Sequence, residues 1–164
     1  MKVCIKGAAE QVKMGEIDDV CLDFDRILLA TDGSEPAILA TQYAVTLAKT
    51  LGASMKAIFV DDGMEALQYP EEIEADDTWE GYHPSIKGLG IAKVMAERNG
   101  VPVEVAVIQG GVTKRIIKTA EEYGADMIVL GETGRTGLKR LGMGSIAESV
   151  LRGAPIPVLV CKVD

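Results

Sequence analysis

Aromatic residues are scarce in this chain of 164 residues: seven Phe, Tyr and Trp make up 4% of it, although 48% of the sequence is apolar. The core must therefore consist mainly of Ala, Val, Ile and Leu, which typically fill the space between helices and a parallel sheet. This composition favours an α/β domain over a β-sandwich. The length fits one domain with one sizeable core.

Cysteine and histidine are also few. Cys4, Cys21 and Cys161 form no C-x-x-C pair, and the single histidine, His83, is near none of them, so neither a disulfide framework nor a zinc site is predicted. No apolar run approaches the roughly 18 residues of a membrane-spanning helix, and the N-terminus lacks a signal-peptide core. The sequence predicts a soluble, cytoplasmic protein with reduced thiols and no membrane partner.

Basic residues are absent from one acidic stretch. Nine of the 25 acidic residues lie between residues 61 and 80, where no Lys or Arg occurs; without them, 16 acids face 17 bases. The net charge of -8 thus belongs to one segment, while the remainder is nearly neutral. A broad basic face for nucleic acid is not expected.

Short apolar runs alternate with helical patterns from residue 25 onward. The predicted strands are 26–30, 55–60, 103–108, 126–130 and 156–162. The predicted helices are a first one between a Ser34 cap and Gly52, and then 86–99, 112–123 and 145–152, with Gly100, Gly124 and Gly153 as C-terminal caps. This alternation predicts a single doubly wound, Rossmann-like α/β domain with a five-stranded parallel sheet, in the order 3-2-1-4-5 or 2-1-3-4-5.

Two segments fall outside this rhythm. Residues 1–24 form an N-terminal extension ahead of the predicted domain at 25–164, and residues 61–83 form an acidic excursion that is too polar and irregular for a helix or strand. The sequence assigns no role to either segment.

Two loops follow strands at the edge where ligands bind in such sheets. The 31–34 loop (TDGS) follows the first strand and the 131–134 loop (GETG) follows the fourth, so we expect either strand order to place both at one crevice. Gly131 and Gly134 allow close backbone approach, and Gly144 and Ser145 stand where the next helix begins, at its positive dipole end. A phosphate chain is the predicted occupant.

The glycine spacing differs from the common phosphate loops, since neither a Walker A motif nor a G-x-G-x-x-G after the first strand is present. The pattern is G-x2-G-x9-G-S, preceded by the run MIVL. Together with RILLATDGSE near residue 26 and the segment from GADMIVLGETG to APIPVLV, it resembles the ATP-binding subgroup of the universal stress protein family. The resemblance covers nearly the whole chain from residue 25.

The resemblance implies a set of ligand contacts. The family's acidic loop residue falls on Asp32, next to Thr31, and the backbone that meets adenine falls on Phe59 or Val60. The ribose and phosphate contacts fall on the motif residues and their neighbours: Leu130, Gly131, Gly134, Gly144, Ser145, Ile146 and Ala147.

The implied function is that of a stress-response sensor or regulator that binds ATP, or AMP or ADP. Mg²⁺ is a further candidate ligand, held through Asp32. The resemblance also implies a homodimer formed through strand 156–162, with an unidentified regulatory partner. No catalytic residue is predicted, because no Ser-His-Asp, Cys-His or metal-ligand cluster is apparent, so at most slow ATP hydrolysis is expected.

Two alternatives stay open: a hydrolytic or nucleotidyl-transfer enzyme on the same fold, and a dimeric scaffold that binds no nucleotide. A phospho-receiver domain is excluded, because the third strand ends in Ile108-Gln109-Gly110 without the required Asp. Arg135, Lys139 and Arg140 are candidates for neutralising phosphates or simply for a solvated surface. Gly131→Val and Gly144→Val are expected to abolish nucleotide binding and leave the fold intact.

Overall fold

A computed structural model describes residues 23–70, 72–73, 81–134 and 143–163. Strands and helices alternate along them in this order: β1 (Arg26–Ala30), α1 (Glu35–Leu51), β2 (Ser54–Asp61), α2 (Pro84–Arg98), β3 (Val103–Gln109), α3 (Val112–Tyr123), β4 (Met127–Gly131), α4 (Ser145–Gly153) and β5 (Val158–Cys161). The strands form one parallel sheet in the order β3-β2-β1-β4-β5. The predicted fold class and strand order are confirmed.

The sheet separates two apolar layers, because successive strand residues point to opposite faces. Ile27 and Leu29 of β1 pack towards α1 and α2, whereas Leu28 packs towards α3 and α4. Alanines occupy many inward positions of α1 and α2, including Ala40, Ala44, Ala48, Ala92 and Ala96. Their small side chains bring both helices close to the sheet, which accounts for a core with few aromatics.

The helix ends follow the predicted caps at α1 and α3 but not at α2 and α4. The cap of α2 is Asn99, with φ of -101°, and the predicted Gly100 is the residue after it, with φ of 69°. Gly52 and Gly124 adopt left-handed conformations with φ of 68° and 67°. Gly153, by contrast, is the last helical residue, and the cap is Ala154 with φ of -74°, so the prediction of a glycine cap there was wrong. A Cβ at Gly153 would lie 3.0 Å from Cδ1 of Ile117, which indicates that this glycine serves the packing of α4 on α3.

The strand predicted at 156–162 is shorter, spanning Val158–Cys161. Pro157 still contributes its carbonyl, which accepts a hydrogen bond from the N–H of Ile128 (3.0 Å). Proline has no N–H to continue the ladder. Among the described residues, no helix is long and apolar enough to span a membrane.

The described part of the acidic excursion is attached to the domain through buried Asp61 at the end of β2. The hydroxyl of Tyr69 donates to Oδ2 of Asp61, which also accepts from Nε2 of Gln109 (2.9 Å). Oδ1 accepts from the N–H of Gly63 (2.8 Å). These hydrogen bonds, that of Tyr69 above all, lower the pKa of Asp61 below its usual 3.8.

Asp61→Asn tests this attachment. A carboxyl whose folded pKa is depressed stabilises the fold above its unfolded pKa and loses that contribution as pH falls through the folded value. We expect Asp61→Asn to lower the free energy of unfolding at pH 7 by about 1 to 2 kcal/mol. As the pH falls from 3.8, the variant should lose less stability than wild type.

Urea unfolding at a series of pH values measures this difference. Asp62→Asn is the matched control, since Asp62 is exposed and its Oδ1 accepts from the N–H of Met64 (3.0 Å) instead. Identical pH profiles for wild type and Asp61→Asn would contradict the assignment.

Candidate functional site

The loops after β1 and β4 leave the sheet side by side. Ala30 of β1 is in register with Leu130 of β4, so the loops that follow these two strands start at nearly the same level of the sheet. The strand order reverses here, between the β3-β2-β1 half and the β4-β5 half, which is where a crevice opens in doubly wound sheets. Ser34 joins the loops, since its hydroxyl lies 3.5 Å from the carbonyl of Thr133.

The loop after β1 fixes the orientation of Asp32. The N–H of Ser34 donates to Oδ1 of Asp32 (3.0 Å), and the N–H of Gly33 donates to Oγ1 of Thr31 (3.3 Å). Ser34 caps α1, its hydroxyl accepting from the N–H of Ala37 (3.4 Å). Such turns are typical of Asp, Thr and Ser ahead of a helix. They hold a half-buried carboxylate at the crevice.

The second loop returns to the sheet edge before α4 begins. Gly144 donates its N–H to the carbonyl of Glu132 (2.9 Å), which places the start of α4 next to the end of β4. Gly144 is the N-cap and contributes no side-chain hydrogen bond. The first N–H groups of α4, beginning at Ser145, therefore have no side-chain cap from Gly144 and lie at the positive end of the helix dipole.

A cavity of about 610 Å³ lies between these loops. Every site residue predicted from the sequence lines it: Thr31, Asp32, Phe59, Val60, Leu130, Gly131, Gly134, Gly144, Ser145, Ile146 and Ala147. The fold thus brings together residues from four separate parts of the chain.

Ten further lining residues were missed by sequence reasoning: Ala30, Ala37, Ile58, Asp62, Val112, Ile116, Glu132, Thr133, Met143 and Glu148. Seven of them were within reach, because all except Ala37, Val112 and Ile116 stand within two residues of a predicted one. Val112 and Ile116 carried no sequence signal, since their place depends on how α3 packs against β1 and β2.

The strand β2 extends beyond β1 and exposes backbone to the crevice. Ala30 pairs with Ile58, and the N–H of Thr31 donates to the carbonyl of Ile58 (2.9 Å), so Ile58 faces β1. The N–H of Gly110 donates to the carbonyl of Asp61 (2.9 Å), so Asp61 faces β3. Because neighbouring residues turn their N–H and C=O to opposite sides of a strand, Val60 faces the β1 side, beyond the end of β1.

The charged side chains among the described lining residues are all carboxylates: Asp32, Asp62, Glu132 and Glu148. Two of them pair with basic residues: Glu132 lies 3.7 Å from Nζ of Lys162, and Glu148 lies 2.9 Å from Nη2 of Arg152.

Arg135, Lys139 and Arg140, the sequence candidates for neutralising phosphates, lie outside the described residues. In the part that the structure describes, no group of three or more His, Cys, Asp or Glu is placed to hold a metal.

Two motif glycines are in close contact with protein backbone. A Cβ at Gly131 would lie 2.7 Å from the carbonyl carbon of Pro36 and 2.8 Å from the nitrogen of Ala37. At Gly144 it would lie 2.7 Å from the carbonyl oxygen of Glu132. Such contacts force the backbone to move, so the expectation that valine at these positions leaves the fold intact was wrong.

The chain thus has a doubly wound α/β fold with a crevice at the carboxyl ends of β1 and β4, as in nucleotide-binding proteins of this class. The model of the universal stress protein family matches residues 23–162. This chain belongs to the universal stress protein family.

Individual relatives agree with this assignment. A universal stress protein of Methanocaldococcus jannaschii is 36% identical over 144 residues, which cover 85% of this chain and 82% of that protein. The structure of hypothetical protein MJ0577 is similar with a TM-score of 0.69 and 27% identity, covering 87% of this chain and 99% of the other.

A third similar protein is the universal stress protein of Archaeoglobus fulgidus in complex with dAMP. Its TM-score is 0.61 at 22% identity, with 86% of this chain and 100% of the other covered.

Gly131→Ala tests the packing role of the first motif glycine. We expect it to lower the free energy of unfolding by about 1 to 3 kcal/mol, since a methyl group is forced against the backbone of α1. Gly134→Ala is the control: its Cβ would meet one side-chain atom, Oδ2 of Asp32 at 3.0 Å. The expected loss there is below about 0.5 kcal/mol. Equal unfolding free energies in urea for the two variants would contradict this assignment.

Proposed function

We propose that this protein binds an adenine nucleotide, ATP in the first place, in the cavity between β1 and β4, and acts as a stress-response sensor or regulator. The observation that carries the proposal is the convergence of all eleven predicted contact residues on that one cavity. A binding site of this kind needs bare backbone, a helix N-terminus and an oriented carboxylate, and the cavity contains all three. The dAMP complex of the Archaeoglobus fulgidus relative is consistent with an adenine ligand.

The base is assigned to the end of β2. Between the two residues left open by the sequence, Val60 is preferred, because the alternation set by Ile58 and Asp61 turns the N–H and C=O of Phe59 towards β3 and those of Val60 towards the crevice. A strand offers an N–H donor and a C=O acceptor there, and adenine presents the complementary acceptor N1 and donor N6 on one edge. Ile58, Val112 and Ile116 supply apolar walls.

The ribose and phosphates are assigned to the two loops. Asp32 accepts hydrogen bonds from ribose hydroxyls, which fits an oriented carboxylate at the mouth of the cavity. The backbone at Gly131, Gly134 and Gly144 together with the first turn of α4 from Ser145 receives the phosphates. Mg²⁺ accompanies the phosphates in this proposal, held through Asp32, because the charged side chains among the described lining residues are carboxylates and offer the phosphates no positive charge.

We propose binding with at most slow hydrolysis. An efficient hydrolase needs a base beside the attacking water, and the described lining residues offer carboxylates of which Glu132 and Glu148 are paired with Lys162 and Arg152. The enzyme alternative would require one of the lining carboxylates to act as that base. The cytoplasmic location and the regulatory partner stay predictions from the sequence.

The first experiment identifies the ligand. Protein purified without added nucleotide is denatured, and the released small molecules are analysed by mass spectrometry. Calorimetric titration with ATP, ADP, AMP and GTP follows. We expect ATP to bind at least about tenfold more tightly than GTP, because guanine reverses the donor and acceptor that Val60 faces and leaves buried polar groups unpaired.

The outcomes separate the alternatives. Released ATP supports a binder with little turnover, and released ADP or AMP favours the hydrolytic alternative. If nothing is released and none of the four nucleotides binds, the dimeric scaffold replaces the present proposal.

We also propose a homodimer through β5, at the edge of the sheet. The carbonyls of Pro157 and Cys161 accept from Ile128 and Glu132 of the β4 side, so by alternation Val160 turns its N–H to the open edge. An unpaired edge strand is a template for a second copy.

Val160→Pro removes that outward N–H without removing a β4–β5 hydrogen bond. We expect it to shift the protein from dimer to monomer, as measured by sedimentation velocity. Val160→Ala is the control that loses similar packing but keeps the N–H, and it should stay dimeric. A monomeric wild type, or a dimeric Val160→Pro variant, would contradict the proposed interface.

A further inference from the structure

The first turn of α2 packs directly on the loop that carries Asp32. Ser85 is completely buried, at 0% exposure, and its hydroxyl donates to the main-chain carbonyl of Asp32 (3.1 Å). One turn later, a Cβ at Gly88 would lie 2.8 Å from both N and Cα of Gly33. At Gly88 the helix therefore packs directly against the backbone of Gly33 and the side chain of Thr31.

The same turn fixes the shape of the loop. Gly33 has a φ of +74°, and a Cβ there would lie 1.9 Å from the carbonyl oxygen of Pro84. The left-handed conformation and the close contact both require glycine. Asp32 is thus held twice: its carboxylate accepts from the N–H of Ser34 (3.0 Å), and its carbonyl accepts from Ser85.

The first turn of α2, which carries Ser85, also contacts the acidic excursion that follows β2. His83 is the N-cap of α2, and its Nδ1 accepts from the N–H of Ser85 (3.4 Å). The other ring nitrogen, Nε2, lies 2.7 Å from Oε2 of Glu65. A continuous set of contacts therefore leads from the acidic segment, through Glu65, His83 and Ser85, to Asp32.

We propose that Ser85 is a positioning residue that aims the Asp32 carboxylate at the ribose hydroxyls, and that His83 and Glu65 hold the turn on which Ser85 stands. The inference rests on the proposed nucleotide function. Removal of the Ser85 hydroxyl withdraws a donor from a carbonyl in the buried interface. The loop then relaxes, and the carboxylate loses the alignment that a hydrogen bond to ribose requires.

The test compares the affinities for ATP and 2′,3′-dideoxy-ATP, measured by calorimetry on the full chain. We expect wild type to prefer ATP by about tenfold, since the dideoxy compound lacks the hydroxyls that Asp32 reads. Asp32→Ala, Ser85→Ala and Ser85→Cys should each reduce this ratio to below about threefold, with little change in the affinity for the dideoxy compound. Ser85→Ala combined with Asp32→Ala should reduce it no further, as coupled residues do.

Two further variants refine the test. Ser54→Ala removes another hydroxyl that donates to a backbone carbonyl, that of Asp25 (3.2 Å), at the start of β2 and so at the opposite ends of the strands from the crevice, and should leave the ratio unchanged. Glu65→Gln changes a largely exposed carboxylate and should lower the ratio by about two- to threefold, because the effect passes through His83 and Ser85. Ser85→Cys keeps the side-chain volume, so it serves as the test if Ser85→Ala does not fold.

The outcomes are distinguishable. A wild-type ratio retained in both Ser85 variants, alongside its loss in Asp32→Ala, would overturn the inference and leave the proposed function standing. A wild type that binds neither nucleotide would overturn the proposed function and the inference with it. An unchanged ratio in Glu65→Gln would overturn the role assigned to Glu65 and His83.

Discussion

Close backbone contact at the carboxyl end of β1 is the constraint on which the site depends. The loop 31–34 is pressed against the first turns of α2, where a Cβ at Gly33 would lie 1.9 Å from the carbonyl oxygen of Pro84. The start of α1 is pressed against β4 in the same way at Gly131. Because these contacts join main chain to main chain, they leave little freedom for the crevice to widen. The site is therefore shaped before any ligand enters.

The motif glycines line a cavity, but the sequence explained only part of the reason that glycine is needed there. Their positions after the fourth strand and at the start of the next helix predicted that Gly131, Gly134 and Gly144 lie at one crevice, and they line one cavity. Sequence reasoning assigned their lack of side chains to a ligand, whereas Gly131 and Gly144 are already in contact with α1 and with Glu132. The sequence alone does not distinguish a glycine that protein packing requires from a glycine that a bound phosphate requires. The surrounding atoms are needed to tell them apart.

Whether another feature could be predicted from the sequence depends on how far apart in sequence the interacting residues lie. The strand order was predictable, because alternating strands and helices with right-handed crossovers allow few arrangements. The choice of Val60 over Phe59 was not, since it depends on the register that ends β1 opposite Ile58. The attachment of the acidic segment depends on contacts such as Asp61 with Gln109, which join residues far apart in sequence. Pairings of this kind leave no periodic pattern.

The site and the acidic segment are held by different physical means. Backbone contacts and close-packed glycines define the crevice, and they respond little to salt or pH. Side-chain contacts hold the described part of the acidic excursion, namely Asp61 with Tyr69 and Glu65 with His83. Contacts between charged side chains are weakened by salt and by competing partners. Under the proposed role of Ser85, a change in this segment would reach Asp32 through the N-terminal turn of α2.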